Sequence, residues 1–315
     1  MTGFRTVADP KVRRVLLTGS TGFIGSAILA ALHRRRTPDI RVLLRPRHTN
    51  PPTAAVTVVS ADLADPRTIA GICDDVDLVI HAASYIGPDP RRCALVNEEG
   101  TANLVRTAVQ AGIGRLLYVS TAAVYGTGPH RGAVEGALTP SPSSPTSTSR
   151  LAAEQSVRSA GGVVLRPHLV YGAGDRWVLP SLVALLKAPG LIDGGTAKMS
   201  MISVRDLARV ALALALDRPK FPHGAMYHAN HPRPVSLREV IEALATCLGV
   251  SAPGTNLSRA AASAALPHLP ARVLDLAATD HWYDSTRIWR DAGCQAGRPP
   301  HQDLHDATNC CLPRC

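Results

Sequence analysis

Between residues 13 and 125 the chain repeats one pattern, a short run of branched apolar residues followed by a stretch with apolar positions three or four apart. VRRVLLTGS precedes IGSAILAALHRR; then come IRVLLR, AVTVVSADL, a short helix, VDLVIHAAS, ANLVRTAVQAG and RLLYVSTAAVY. The branched runs do not alternate polar with apolar, so each strand is buried on both faces, as in a parallel sheet covered by helices. Strand–helix–strand repetition predicts an α/β fold of Rossmann type, a doubly wound parallel sheet. The glycines of QAGIG agree, ending one helix just before the strand RLLYVS.

The pattern collapses over residues 126–149, GTGPHRGAVEGALTPSPSSPTSTS, which predicts a loop or lid. Structure resumes with the helix RLAAEQSVRSA and the strand GVVLRPHLVYG. Beyond Tyr171, SLVALLKA, VRDLARVALALALDR, SLREVIEALATCLG and ARVLDLAA all have helical period, and no internal repeat is visible. A length of 315 residues fits about two domains. We expect a Rossmann domain from residues 1–170 plus about 200–230. A smaller, mostly helical C-terminal substrate domain takes residues 171–199 and 231–315, with a flexible tail from about residue 300.

Composition excludes several classes. Apolar residues at 45% exceed what a disordered chain carries, and no run approaches a membrane span. The opening MTGFRTVADPKVRR lacks the apolar core of a signal peptide, so a cytoplasmic protein without a membrane partner, monomeric or homodimeric, is expected. The net charge of +10 comes almost wholly from scattered Arg, and aromatics are only 4%, so there is neither a clustered basic stripe nor a stacking surface for nucleic acid. An anionic cofactor or substrate is the better use of the excess. Seven Cys is an odd number for a disulfide framework. Cys73, Cys93 and Cys247 read as buried thiols. The tail residues His301, His305, Cys310, Cys311 and Cys315 include adjacent cysteines that do not reproduce zinc spacing, so no metal is expected.

The sharpest motif is Thr18-Gly19-Ser20-Thr21-Gly22-Phe23-Ile24-Gly25, directly after the first strand and opening a helix. Three glycines let the backbone turn tightly and approach a pyrophosphate at the positive end of the helix. The second strand, IRVLL, ends in Arg45, followed by Pro46, Arg47 and His48, with no carboxylate to hold a ribose 2′-hydroxyl. A guanidinium there suits a 2′-phosphate, which favours NADPH/NADP+ over NADH.

These residues resemble the extended short-chain dehydrogenase/reductase family, the NAD(P)-dependent epimerase/dehydratase type. The resemblance implies that Asp62 and Leu63 contact adenine and that His81-Ala82-Ala83-Ser84 runs beside the cofactor ribose. Val96-Asn97 with Gly100-Thr101 and Asn103 is similar to the family's fourth-helix signature. Ser120 and Thr121 fall on the strand that carries the catalytic hydroxyl, and Leu165-Arg166-Pro167-His168 through Tyr171-Gly172 on the segment under the nicotinamide. Tyr283-Asp284 and residues 286–293 resemble the family's closing helix.

One element departs, and it is the catalytic one. Where the family has Tyr-x-x-x-Lys before Leu-Ala-Ala-Glu-Gln, this chain reads Thr146-Ser147-Thr148-Ser149-Arg150. An aliphatic hydroxyl is far too weak an acid to replace a phenol, and Arg stays protonated, though Arg150 can still bond the ribose. In lacking the Tyr, the chain is similar to ketoreductases of angucyclinone-type polyketide antibiotic biosynthesis. The resemblance then implies reduction of a polycyclic aromatic ketone whose own phenol supplies the proton, with Thr121 and Ser84 assisting. The other open reading is a catalytically inactive NADP(H)-binding sensor. His168 is a proton-donor candidate or simply packed, Asn97 organises a water or a helix kink, and Tyr125 and Tyr171 flank the substrate or plug the sheet edge.

Overall fold

The computed structural model of the chain describes residues 12–37, 39–46, 55–267 and 270–304. Seven parallel strands form the main sheet. From one edge to the other they are Met226–His228, Val163–Arg166, β5 (Arg115–Val119), β4 (Leu78–His81), β1 (Arg14–Thr18), β2 (Asp39–Leu44) and β3 (Thr57–Ser60). Strand order reverses between β1 and β4, where Thr18 pairs with His81 at the carboxyl ends. The connections leaving these two strands diverge, and a crevice opens between them.

Successive residues of a strand face opposite ways, so each strand feeds two cores. Val15 and Leu17 of β1 join Ile80 and Leu117 in one, covered by α1 (Phe23–Arg34) and the helix Val204–Leu212. Leu16, Val79, Leu116 and Tyr118 form the other. Its cover is residues of two helices, Leu104 and Ala108 on one (Gly100–Gln110), Ala153 and Val157 on the other (Pro145–Ser159). Both faces are dry, as the unalternated runs predict. The helix Thr286–Ala292 lies in the 231–315 segment yet packs on the first core through Ile288 and Trp289.

A third core gathers the helices Val178–Leu186, Leu237–Leu248, Arg259–Ala265 and Ala271–Ala278. Beside it lies a small sheet of Val235–Ser236, Lys198–Met199, His281–Tyr283 and His130–Ala133. His130–Ala133 draws part of the expected 126–149 loop into regular structure by pairing with His281–Tyr283. The helix after it starts at Pro145, earlier than periodicity suggests, because Ser144 and Ser147 form a reciprocal capping box with Pro145 in the first turn. The short helix expected between β3 and β4 is instead a series of turns, broken by Gly71 and Asp75 at φ 71° and 57°. Among the described residues no helix is long and apolar enough to cross a membrane. His305, Cys310, Cys311 and Cys315, like Arg47 and His48, lie outside the described residues, and no group of three metal-ligating side chains occurs among those described.

Rings fill the junction between the main sheet and the small one. Tyr125 stacks on Tyr283 at 5.5 Å and its hydroxyl bonds His228 Nε2 at 2.6 Å, while Tyr283 meets His130 Nδ1 at 3.1 Å. Below them the buried Arg166 guanidinium grips both carboxylate oxygens of buried Glu154, at 2.5–3.0 Å, and lies 4.8 Å from the Tyr125 ring centre. Burial pushes His81 and His168 down to about 3, and His228 and His281 to about 4, because the charged ring loses its water. These histidines are neutral when folded and titrate near 6.5 when unfolded, so the unfolded chain binds more protons between those values. Stability is therefore lost as pH falls from about 6.5 toward 4. Each imbalance contributes up to about 1.4 kcal/mol per pH unit. Urea unfolding between pH 6.5 and 4.5 should show a loss of at least about 1 kcal/mol per unit; a flat profile would contradict the neutral burial of these rings.

Candidate active site

β1 runs into the glycine loop, and α1 begins at Phe23 with Gly22 at its N-cap. Gly19 sits at φ 75°, and a Cβ there would lie 2.5 Å from the Ala83 nitrogen. A Cβ on Gly25 would lie 2.0 Å from the Gly19 carbonyl oxygen. Both contacts are backbone on backbone, so glycine is required. No acidic residue occupies the first turn of α1 and no side chain caps it, which leaves its positive end for an anion. Phe23 and Ile24 pack toward the core, and the buried Ser20 hydroxyl has no hydrogen-bond partner among the described residues.

The loop forms one wall of a cavity of about 400 Å³. Gly19, Thr21 and Gly22 face Asp62, Leu63, Ala82, Ala83 and Ser84, with Arg45 at the end of β2. Tyr85, Arg92 and Leu95 also line it, and the Arg92 guanidinium lies 4.4 Å from the Tyr85 ring centre. Periodicity does not mark these three; Tyr85 was findable as a residue just past the carboxyl end of β4, where such crevices open.

Asn97 holds this wall. It lies in a π-helical turn, Ala94–Glu99, and is 1% exposed. Its Oδ1 accepts from the Tyr85 amide at 2.7 Å and the Ser84 hydroxyl at 3.2 Å. Its Nδ2 donates to the Tyr85 carbonyl at 2.9 Å and to Ser149 Oγ at 3.0 Å. His81 braces the adjoining layer, its ring nitrogens 2.6 Å from Thr18 Oγ1 and 2.9 Å from Thr101 Oγ1. The ring is thus a strut between β1, β4 and the helix Gly100–Gln110, and its backbone leads into the cavity wall.

The catalytic register has been rebuilt with ties. Thr146 Oγ1 donates to the Gly87 carbonyl at 3.2 Å and accepts from the Gly87 amide at 3.3 Å, pinning the segment after Tyr85. Arg150 Nη2 donates to the Val119 carbonyl at 2.6 Å, and its buried Nε has no hydrogen-bond partner among the described residues. Thr121 caps the turn Ala122–Tyr125, accepting from the Ala123 amide at 3.1 Å, so its O–H remains to donate. Ser120 instead donates to buried Glu154. The Pro167 carbonyl accepts from the Ala122 amide at 2.7 Å, joining the two segments. His168 is fixed through its amide by Asn230 Oδ1 at 2.7 Å, and its ring packs 5.7 Å from His281 and 5.6 Å from Tyr283. A neutral imidazole so far below its ordinary pKa is a poor proton donor near neutrality.

The orphaned Ser20 hydroxyl, the orphaned Arg150 Nε, the uncapped end of α1 and Arg45 fit an anionic dinucleotide. Asn97→Ala would leave the half-buried Tyr85 amide without its partner and the Tyr85 carbonyl with only the 3.5 Å bond from the Ser84 hydroxyl, and Ser149 Oγ would lose its donor. Each such group costs about 1–3 kcal/mol, so stability should fall by about 2–4 kcal/mol in urea titration. A loss below about 1 kcal/mol would mean that Asn97 does not hold this wall.

Residues 15–229 match the NAD dependent epimerase/dehydratase family. The chain is 28% identical over 253 residues to a 2-alkyl-3-oxoalkanoate reductase of Stenotrophomonas maltophilia, covering 75% of this chain and 76% of that protein. It is also 28% identical over 266 residues to a 4-hydroxy-2-methyl-3-oxo-4-farnesyl-3,4-dihydroquinoline-1-oxide ketoreductase of Stigmatella aurantiaca, covering 80% and 78%. In fold it resembles the Bordetella bronchiseptica enzyme WbmH, solved in complex with NAD+, with a TM-score of 0.75, 23% identity, and 95% and 98% of the two chains covered. The crevice at the strand reversal, the glycine loop and the match over most of the main sheet have one conclusion: the chain belongs to the NAD dependent epimerase/dehydratase family.

Proposed function

We propose that the chain is an NADPH-dependent ketoreductase acting on a carbonyl of a polycyclic aromatic polyketide of angucyclinone type, with the substrate supplying its own proton. The family and its reductase relatives support an NAD(P)-dependent oxidoreductase. The observation that carries the finer reading is the fate of the catalytic register. Thr146 is spent on the Gly87 backbone and Arg150 on the Val119 carbonyl, while the cofactor cradle is intact.

The glycine loop holds the pyrophosphate, Arg45 the 2′-phosphate, and Arg150 Nε a ribose hydroxyl. Bound there, NADPH supplies the hydride. Thr121 donates a hydrogen bond to the substrate carbonyl and orients it. A phenol beside that carbonyl then passes its proton to the new alkoxide oxygen and recovers one from water, so the chain needs no acid of its own. Positioned acid catalysis is typically worth about 10²–10⁴ in rate, and an internal phenol replaces that contribution. Alignment and exclusion of water are the protein's share.

Two measurements test this. A charge-assisted hydrogen bond contributes about 1.5–3 kcal/mol, which is more than tenfold in affinity. Arg45→Ala should therefore weaken NADPH binding more than tenfold in calorimetry and leave NADH nearly unchanged; equal losses would refute the assignment. For the proton, a hydroxylated polycyclic ketone is compared with its analogue methylated at the neighbouring phenol. The methyl ether should bind similarly and be reduced about 10²-fold more slowly or worse, whereas equal rates would place the proton in the protein or solvent.

A further inference from the structure

A second cavity, of about 200 Å³, lies between the helices Val178–Leu186 and Ala271–Ala278. Trp177, Leu182, Met199 and Leu276 frame it, and Arg272 is the one charged residue lining it. It adjoins the loop under the proposed reaction centre in two ways. Leu169, the residue after His168, is part of its wall, and Met199 pairs in the small sheet with His281, whose ring touches His168.

Trp177 and Ile86 are the most exposed large apolar side chains among the described residues, at 60% each. Both stand beside this end of the sheet, Ile86 between Tyr85 and the Thr146-pinned Gly87. The Trp177 indole has no ring or cation partner among the described residues. Its backbone is nevertheless rigidly placed, because the Asp175 carboxylate accepts from the amides of Trp177, Val178 and Leu179 at 2.8–3.0 Å. A solvent-facing indole on a held backbone, beside an apolar hollow, is a surface prepared for a ligand. Volume limits what enters: a dry apolar cavity of about 150 Å³ takes a benzene ring, so this one takes a ring and a substituent, not a whole polycycle. Arg272 makes no hydrogen bond or ion pair among the described residues, and a guanidinium at an apolar rim selects a planar anionic oxygen pair.

We propose that this cavity is the substrate's distal subsite, receiving one aromatic ring against Trp177, with Arg272 taking a carboxylate on that ring. The substrate role rests on the ketoreductase reading; the ligand chemistry of the cavity does not. The test therefore reads binding without turnover. Calorimetry on the full chain saturated with NADP+ compares benzoate with its neutral isostere benzamide. The acid should bind at least fivefold more tightly. Trp177→Ala should weaken both at least tenfold, and Arg272→Gln should remove the difference while leaving the amide unchanged. NADP+ affinity should be the same in both variants. Unchanged probe affinities in Trp177→Ala would overturn the subsite even if ketone reduction is found. The expected pattern in a chain that reduces no ketone would uphold the subsite and overturn the ketoreductase reading alone.

Discussion

The site depends on one close approach of backbone to backbone. Gly19 must pass within contact of Ala82 and Ala83 at the end of β4, and Gly25 must sit against Gly19, or the turn from β1 into α1 cannot form. These contacts seat the positive end of α1 over the crevice where β1 and β4 diverge. A methyl group at either glycine meets main chain, which cannot rotate away as a side chain can. Everything else at the site is arranged around this fixed edge.

The opposite wall is held by hydrogen bonds, not by steric contact. Asn97 satisfies both backbone groups of Tyr85, the neutral His81 joins β1 to the helix Gly100–Gln110, and Thr146 pins Gly87. Buried polar groups are expensive when unpaired and modest when paired, so such a network fixes geometry more than it adds stability. Thr146 and Arg150 thus acquire defined work: one fastens the segment beside the cavity, and the other anchors to the end of β5 while keeping Nε for a partner. An apolar cavity lined by Leu169, the residue after His168, adjoins this region, with the exposed Trp177 at its edge.

Local spacing in the chain determined six of the seven strands of the main sheet, the glycine loop and Arg45 at the end of β2, and comparison with the family's pattern added the loss of Tyr-x-x-x-Lys. Each of these is encoded within a few residues: unbroken apolar runs, three glycines between a strand and a helix, a register counted back from Leu-Ala-Ala-Glu-Gln. The edge strand Met226–His228 and the strand His130–Ala133 escaped that reading, because each is short and is formed by its partner, not by its own periodicity.

Tertiary structure alone decided what the side chains do. Thr146 meets Gly87 across 59 positions, and His168 meets His281 of the small sheet, where burial leaves both imidazoles neutral. Asn97 could be read as important, but its four partners come from two distant segments brought together by packing. Tyr85, Arg92 and the Trp177 cavity carry no motif at all. Periodicity reports which face of an element is buried; which residues from separate elements then touch depends on long-range packing, and the chemistry of the site is made of those contacts.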